Sequence, residues 1–428
     1  MNDMTRLTRR RALQGAASAL AVVRRARAQS SYKGELVIVG QTQTLDRATP
    51  GLLKAFSDAR PGLSIRQVLY PSDKFVALFT AGQAAGEQAD MLLLNGQDLR
   101  RYAVNGTLRP LDELRYLDRF IPQALQTCRL NGKTWGLPVS SIGGFPLFVN
   151  RALLERVKMP EPKTYDDIKA ISQALSAEGL RAFTHAGKNI YLWPVWFFTA
   201  YAQVSNNKSI ERSQEMLLGH AKFTDPDVVR ALDLVFRFAR DRVIPTAVLS
   251  LDNNGAISDF MGAKAAFMMF SDALSHQIFL EKPPGVDLDI MLMPALYDGA
   301  GRSQFPGGPR LVLGIPQKVA PERLGVVREL ADYLTADAQN DQIVKLNGGT
   351  VPCNRNVAPS DEPFVQKERN FEPQLSTYLD WYWPPEITRV FQEGIQAGIA
   401  GKAKPEEVAQ NAQTTLDRLV RDGYSFSL

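Results

Sequence analysis

The chain has 428 residues, too many for one ordinary domain at roughly 150 residues each. Hydrophobic residues make up 45% and charged residues 22%, a balance that excludes a disordered or a fibrous chain. Residues 1–28 hold seven arginines and one acid, Asp3. The formal charge of +5 therefore belongs to that segment, and the rest of the chain carries −1. The body of the protein has no electrostatic bias toward nucleic acid.

The first segment reads as an export signal. Thr8-Arg9-Arg10-Arg11-Ala12-Leu13 is a basic head, and the weakly apolar run from Leu13 to Val23 is eleven residues long. A bilayer span needs about 20. Ala26-Arg27-Ala28 then offers a cleavage site before Gln29. The paired arginines and the weak apolar run resemble a twin-arginine signal. An ordinary secretory signal with a rich basic head is the alternative. Either route puts the mature protein in the periplasm.

Beyond residue 28 the chain alternates short apolar runs with amphipathic stretches. Leu36-Val37-Ile38-Val39 predicts a buried strand, and a helix follows as far as Phe56, stopped by Pro61-Gly62. Leu63 to Leu69 alternates as a second strand, Phe75 to Ala81 reads as a helix, and Met91-Leu92-Leu93-Leu94 as a third strand. Strand–helix–strand–helix–strand predicts a parallel α/β sheet. Thr164, with Asp167 three residues on, predicts a capping box ahead of Ile168, Ile171 and Leu175. Asp225-Pro226 predicts a capped helix bearing Val228, Leu232, Val235 and Phe236. Val327, Leu330 and Leu334 mark another helix, Thr335 is read as the cap of the next, and Pro405 opens a C-terminal helix. The most apolar stretch, Ile190 to Ala202, contains Pro194 and reads as core or pocket wall. Two cysteines, Cys128 and Cys353, are compatible with a disulfide in an oxidising compartment, but their separation in sequence does not place them together.

Chemistry-bearing patterns are scarce. His185, His220 and His276 lack metal-ligand spacing, no G-x-S-x-G elbow is present, and no cofactor motif stands out. Gly132-Lys133-Thr134 imitates the end of a phosphate-binding loop, but residue 127 is threonine where that loop needs glycine. Asp166-Asp167 and Glu406-Glu407 sit in first helical turns, where the helix dipole favours acids. A large exported α/β chain without a catalytic constellation points to binding rather than turnover, with neither cofactor nor metal.

Several segments, in order, carry a family likeness: Phe56…Pro61-Gly62; Ala89-Asp90-Met91-Leu92; Gly106-Thr107-Leu108-Arg109-Pro110-Leu111-Asp112; Gly132-Lys133-Thr134-Trp135-Gly136-Leu137-Pro138; Pro162-Lys163-Thr164-Tyr165; Gly262-Ala263-Lys264-Ala265-Ala266-Phe267; and Gly348-Gly349-Thr350-Val351-Pro352. From about residue 34 onward the chain resembles the extracellular solute-binding proteins of ABC importers, in the sugar-binding branch that includes maltose-binding protein. The resemblance implies a two-lobe α/β periplasmic-binding-protein fold of class II, hinged, with multiple chain crossovers. The expected division is 1–28 signal, 29–145 first lobe, 146–300 second lobe, 301–350 first lobe again and 351–428 second lobe again. It also implies a monomeric receptor that captures a carbohydrate or polyol and delivers it to permease subunits in the inner membrane.

Ligands of open α/β sheets bind beyond the carboxyl ends of strands. That rule nominates Gln41, Thr42, Asn95, Gln97, Ser140, Ser141, Ser271 and Asp272. Sugars also need aromatic faces, which nominates Trp193, Trp196, Trp381 and Trp383, with core packing the alternative for each. Gly308 and Arg310 belong to the same expected site. The family often has an aromatic residue where this chain reads Ser271-Asp272, and small or aromatic residues where it reads Pro309-Arg310. Those departures leave open an anionic ligand such as a glycerol- or sugar-phosphate, on Arg310. An exported glycan hydrolase is the third reading.

Overall fold

A computed structural model describes residues 30–41, 48–71, 74–272, 286–300, 303–346, 351–424 and 426. In chain order its strands are β1 (Gly34–Gln41), β2 (Leu63–Tyr70), β3 (Met91–Leu94), β4 (Arg129–Leu130), β5 (Lys133–Thr134), β6 (Leu137–Pro138), β7 (Ser141–Gly144) and β8 (Leu147–Asn150). There follow β9 (Arg181–Thr184), β10 (Ala265–Met269), β11 (Leu288–Met291), β12 (Phe305–Pro309), β13 (Val312–Gly314), β14 (Val351–Pro352) and β15 (Leu375–Thr377).

The first lobe is built on the sheet β2-β1-β3-β13-β6. β1 pairs parallel with both β2 and β3. A strand covered on both faces must be apolar throughout, and the run from Leu36 to Gln41 is buried, as is all of Met91–Leu94. The helices Thr49–Asp58 and Pro321–Thr335 supply Leu52, Leu53, Phe56, Val327 and Leu330 to the core under the sheet. The second lobe is built on β11-β8-β10-β9. Its core includes Ile168, Phe183, Trp193, Trp196, Phe197, Phe236 and Phe267.

The third sheet, β14-β7-β12-β15, joins the two lobes. The chain leaves the first lobe through β7 into β8, returns through β12 into β13, and leaves again after β15 toward the helices Pro385–Ile399 and Pro405–Arg421. Ile387, Phe391, Val408 and Leu416 of those last helices complete the second lobe's core. The fold is therefore the two-lobed α/β architecture with a repeatedly crossed hinge.

Local signals in the sequence have definite outcomes. Thr164 accepts from the Asp167 backbone and Asp167 from the Thr164 backbone, a complete capping box for the helix Tyr165–Ala177. The Asn131-Gly132 pair turns the β4–β5 hairpin with both residues at positive φ, 51° and 71°. Trp135 donates its indole N–H to the Leu130 carbonyl, so it belongs to the hairpin. Two expected caps differ. Asp225 precedes the helix Pro226–Arg240 without a side-chain cap, because its carboxylate is taken by Arg212 and the Lys222 amide. Thr335 ends one helix instead of opening the next: its hydroxyl donates back to the Ala331 carbonyl at 2.8 Å, and the following helix starts at Asp337. Cys128 and Cys353 are free thiols, both buried. The signal segment, Thr42 and His276 lie outside the described residues.

Candidate functional site

The carboxyl ends of β1 and β3 bring Gln41, Asn95 and Asp98 together. Asn95 caps the helix Gly96–Val104 by accepting from the Asp98 amide at 2.8 Å. Its own amide donates to Gln41 Oε1 at 3.3 Å, and Gln41 Nε2 donates to Asp98 Oδ2. Asp98 is also paired with Arg101 at 3.5 Å. Burial raises the Asp98 carboxyl above its usual range, against the opposing pull of Arg101, Gln41 and Asn95. The result is a fixed chain of amide and carboxyl groups, the chemistry that matches hydroxyl donors and acceptors.

Trp381 stands beside this chain. Its ring lies against the α-carbon of Gly96, where any Cβ would overlap it, and 2.7 Å from where a Cβ on Gly308 of β12 would sit. Two glycines thus make the slot in which the indole stands. Tyr378 packs on it with ring centres 5.0 Å apart. Gln97 ties the same segment to the first lobe through a 3.2 Å bond from its Nε2 to the Asp380 carbonyl. The Arg100 guanidinium covers the Tyr382 ring at 4.0 Å. Trp381 keeps part of its surface exposed.

A charged cluster lies at the crossover sheet. Arg310 Nη2 is 2.7 Å from Asp272 Oδ1, with Asp272 2% exposed. The pair crosses Gly143 of β7, where a Cβ would collide with both side chains. The Arg310 amide donates to the Ser141 carbonyl. Glu368, from the helix Pro363–Asn370, is 3% exposed. Burial, the Asp272 charge and a hydrogen bond shared with Asp272 hold its carboxyl well above the usual range.

The remaining nominated residues fall elsewhere. Trp193, Trp196 and Trp383 are 0%, 2% and 3% exposed and belong to the second lobe's core; Trp383 also reaches the wall of a cavity beside Trp381 and Tyr382. For Trp193 and Trp196 the reason is the helix Trp193–Val204, in which every residue from Trp193 to Gln203 is buried, so it has no wet face. Trp193 donates to the Gly187 carbonyl at 3.0 Å and packs against His185 in a tilted arrangement, ring centres 4.3 Å apart. Trp196 packs edge-on to Phe183 and Phe238. Trp383 donates to Ser213 Oγ and packs on Phe391. Ser140 and Ser141 are buried at the start of the crossover sheet, whereas Ser271 stays half-buried next to Asp272. Nothing in the sequence pattern singles out Glu368, Tyr378 or Asp98. Among the described residues no cluster of His, Cys, Asp and Glu could hold a metal ion, and no helix is long and apolar enough to cross a membrane.

A profile of the family described as bacterial extracellular solute-binding protein matches residues 51–373. A Brucella abortus protein provisionally named a binding protein is 24% identical over 392 residues, 86% of this chain and 88% of that one. An uncharacterised ABC transporter extracellular-binding protein of Pyrococcus horikoshii is 21% identical over 180 residues, 41% of this chain and 42% of that one. A chitin oligosaccharide binding protein of known structure superposes with a TM-score of 0.77 at 17% identity, over 90% of this chain and 98% of its own. The profile match covers most of the two-lobed body, and the chain belongs to the family of bacterial extracellular solute-binding proteins.

Proposed function

We propose that this protein is the exported receptor of an ABC importer, capturing a neutral carbohydrate between its lobes and delivering it to permease subunits in the inner membrane. The observation that carries the reading is Trp381, held by Gly96 and Gly308 beside the Gln41–Asn95–Asp98 chain and Gln97. An aromatic face next to fixed amides and a carboxyl suits a ring with C–H faces and a rim of hydroxyls. The oligosaccharide named for a structural neighbour agrees with it. The arginine-rich segment ahead of Gln29 supports export to the periplasm, by the twin-arginine route.

Arg310 gives the anionic alternative little support, since its charge is matched within a buried cluster. Hydrolysis is disfavoured for a related reason. Asp272 and Glu368 share a hydrogen bond, whereas glycosidase carboxyls stand about 5 Å or more apart to flank a bond. A melting screen against neutral oligosaccharides, polyols and sugar phosphates tests the reading. The right sugar at 100 times its Kd adds about 2.7 kcal/mol of stability and is recovered unaltered. Stabilisation by sugar phosphates alone would establish the anionic reading, and a chemically changed sugar the enzymatic one.

A further inference from the structure

The buried cluster around Arg310 is a joint between the lobes. Arg310 follows β12 and leads through Leu311, a first-lobe core residue, into β13. Its partners come from the other side. Asp272 lies just after β10 of the second lobe's sheet. Glu368 stands on the helix Pro363–Asn370, which Lys367 ties to Asp289 of β11 in that same sheet, at 2.6 Å. Tyr378, just after β15, is the fourth member. One cation and two carboxyls thus meet, almost without water, where the crossover strands carry the chain between lobes. Other ionisable groups stand around them. Cys353, which follows β14, faces Arg310, and Asp380 faces Tyr378. Asp289 is taken up by Lys367 and Arg151. Arg310 is the cation that faces Glu368.

We infer that Glu368 is a positioning residue whose proton controls this joint: with the proton in place the lobes keep the arrangement seen here, and its loss loosens that arrangement. A neutral carboxyl is a donor as well as an acceptor, so Glu368 and Asp272 can share a hydrogen bond. A charged Glu368 instead sets a second carboxylate against Asp272 in a dry site, with Arg310 to serve both. Burial and the Asp272 charge keep the proton on Glu368 at pH values where a surface glutamate has lost it. A group whose pKa is raised in the folded state contributes its stability at low pH and loses it as pH rises through the folded value. The joint is therefore tight in acid and loosens toward alkaline pH. A single proton limits the steepness, so the balance of held and loosened forms shifts by up to about tenfold per pH unit. On the receptor reading above, this couples the geometry of the cleft to the acidity outside the inner membrane.

The test is small-angle X-ray scattering of the purified protein from about pH 5 to 9. It needs no ligand, so its outcome is separate from that of the carbohydrate reading. The wild type should pass from a compact to a more extended profile with the steepness of one proton. Glu368→Gln keeps a hydrogen-bond donor toward Asp272 and carries no charge, so it should hold the compact profile throughout. Asp380→Asn should keep the wild-type transition, although burial raises the Asp380 carboxyl to about 7. If Glu368→Gln does not fold, the Asp380→Asn protein is read by infrared absorption instead. Its neutral buried carboxyl band should vanish over the same pH interval in which the scattering changes. A wild-type profile that ignores pH, a Glu368→Gln profile that follows the wild type, or a transition abolished by Asp380→Asn overturns the inference. So does a carboxyl band that persists through the scattering change.

Discussion

Arg310 and Asp272 meet at 2.7 Å over the bare α-carbon of Gly143, with Asp272 almost wholly withdrawn from water. The pair joins the end of β10 in the second lobe to the end of β12 in the crossover sheet. Removing one partner leaves a buried charge without its counter-ion, which costs about 3–5 kcal/mol. Arg310→Met, which strands the 2%-exposed Asp272, should therefore lower the melting temperature sharply. Asp272→Ala combined with Arg310→Met should recover much of the loss, because no charge is then stranded. A double-mutant cycle by thermal or denaturant unfolding measures the coupling.

Gly96 and Trp381 give a matched pair of binding variants. Gly96→Ala places a methyl group where the indole ring stands and must displace it. Trp381→Ala removes the ring. If 60–100 Å² of ring surface is shared with the ligand, about 1.5–2.5 kcal/mol of binding is lost at about 25 cal/mol per Å². That is roughly a ten- to seventyfold weaker Kd. Both variants should show it by calorimetry. Gln97→Ala keeps the ring and removes only an amide that bonds the Asp380 carbonyl, so it separates the polar share from the aromatic one.

His185 should make the protein acid-sensitive. Burial holds its imidazole neutral and lowers its pKa from 6.5 to about 3. The unfolded chain therefore binds a proton that the folded one refuses. The stability associated with neutral His185 is present above pH 6.5 and is lost as pH falls toward 3, by up to about 1.4 kcal/mol per pH unit. Asp380 acts in the opposite sense. Burial raises its pKa from 3.8 to about 7, so its contribution is full below pH 3.8 and is lost as pH rises through 7. Unfolding curves from about pH 7 to 4 should show a shallower decline for His185→Gln than for the wild type, and a steeper one for Asp380→Asn.

Trp193 separates core from cleft. It is fully buried, bonded to Gly187 and packed against His185. Trp193→Ala should cost about 3–5 kcal/mol of folding stability and leave the affinity of the folded protein for its ligand close to wild type. Calorimetry and melting on the one variant read both quantities.

Local signals are legible where they have no rival. The Thr164–Asp167 box involves four consecutive residues and nothing distant competes for them. Asp225 and Thr335 carry the same kind of signal, but Arg212 claims one and the Ala331 carbonyl the other. The tryptophans show the limit more clearly. Trp381 and Trp383 are two residues apart, yet one stands in a glycine slot and the other fills the second lobe's core. Their fates depend on which way the chain turns after residue 381, and on the helices beyond. Glu368 sits in Lys367-Glu368-Arg369, which reads as a solvated face. Its burial follows from packing against Asp272 and Arg310, residues distant in sequence.

The repeated crossing of the hinge also governs the order in which the molecule can be made. The second lobe's sheet takes its strands from residues 147–291, but its core is closed by Phe391, Ile395, Val408 and Leu416. A growing chain that has finished β11 still lacks the surfaces against which Phe197, Phe223 and Phe236 pack. The first lobe is likewise incomplete until β13 has been added between β3 and β6. The second lobe therefore cannot be finished ahead of the first as the ribosome moves along the message: β13 and the helix Pro321–Thr335 precede the helices Pro385–Ile399 and Pro405–Arg421. The lobe whose sheet is complete at residue 291 is the one whose core closes last, when the helices Pro385–Ile399 and Pro405–Arg421 emerge.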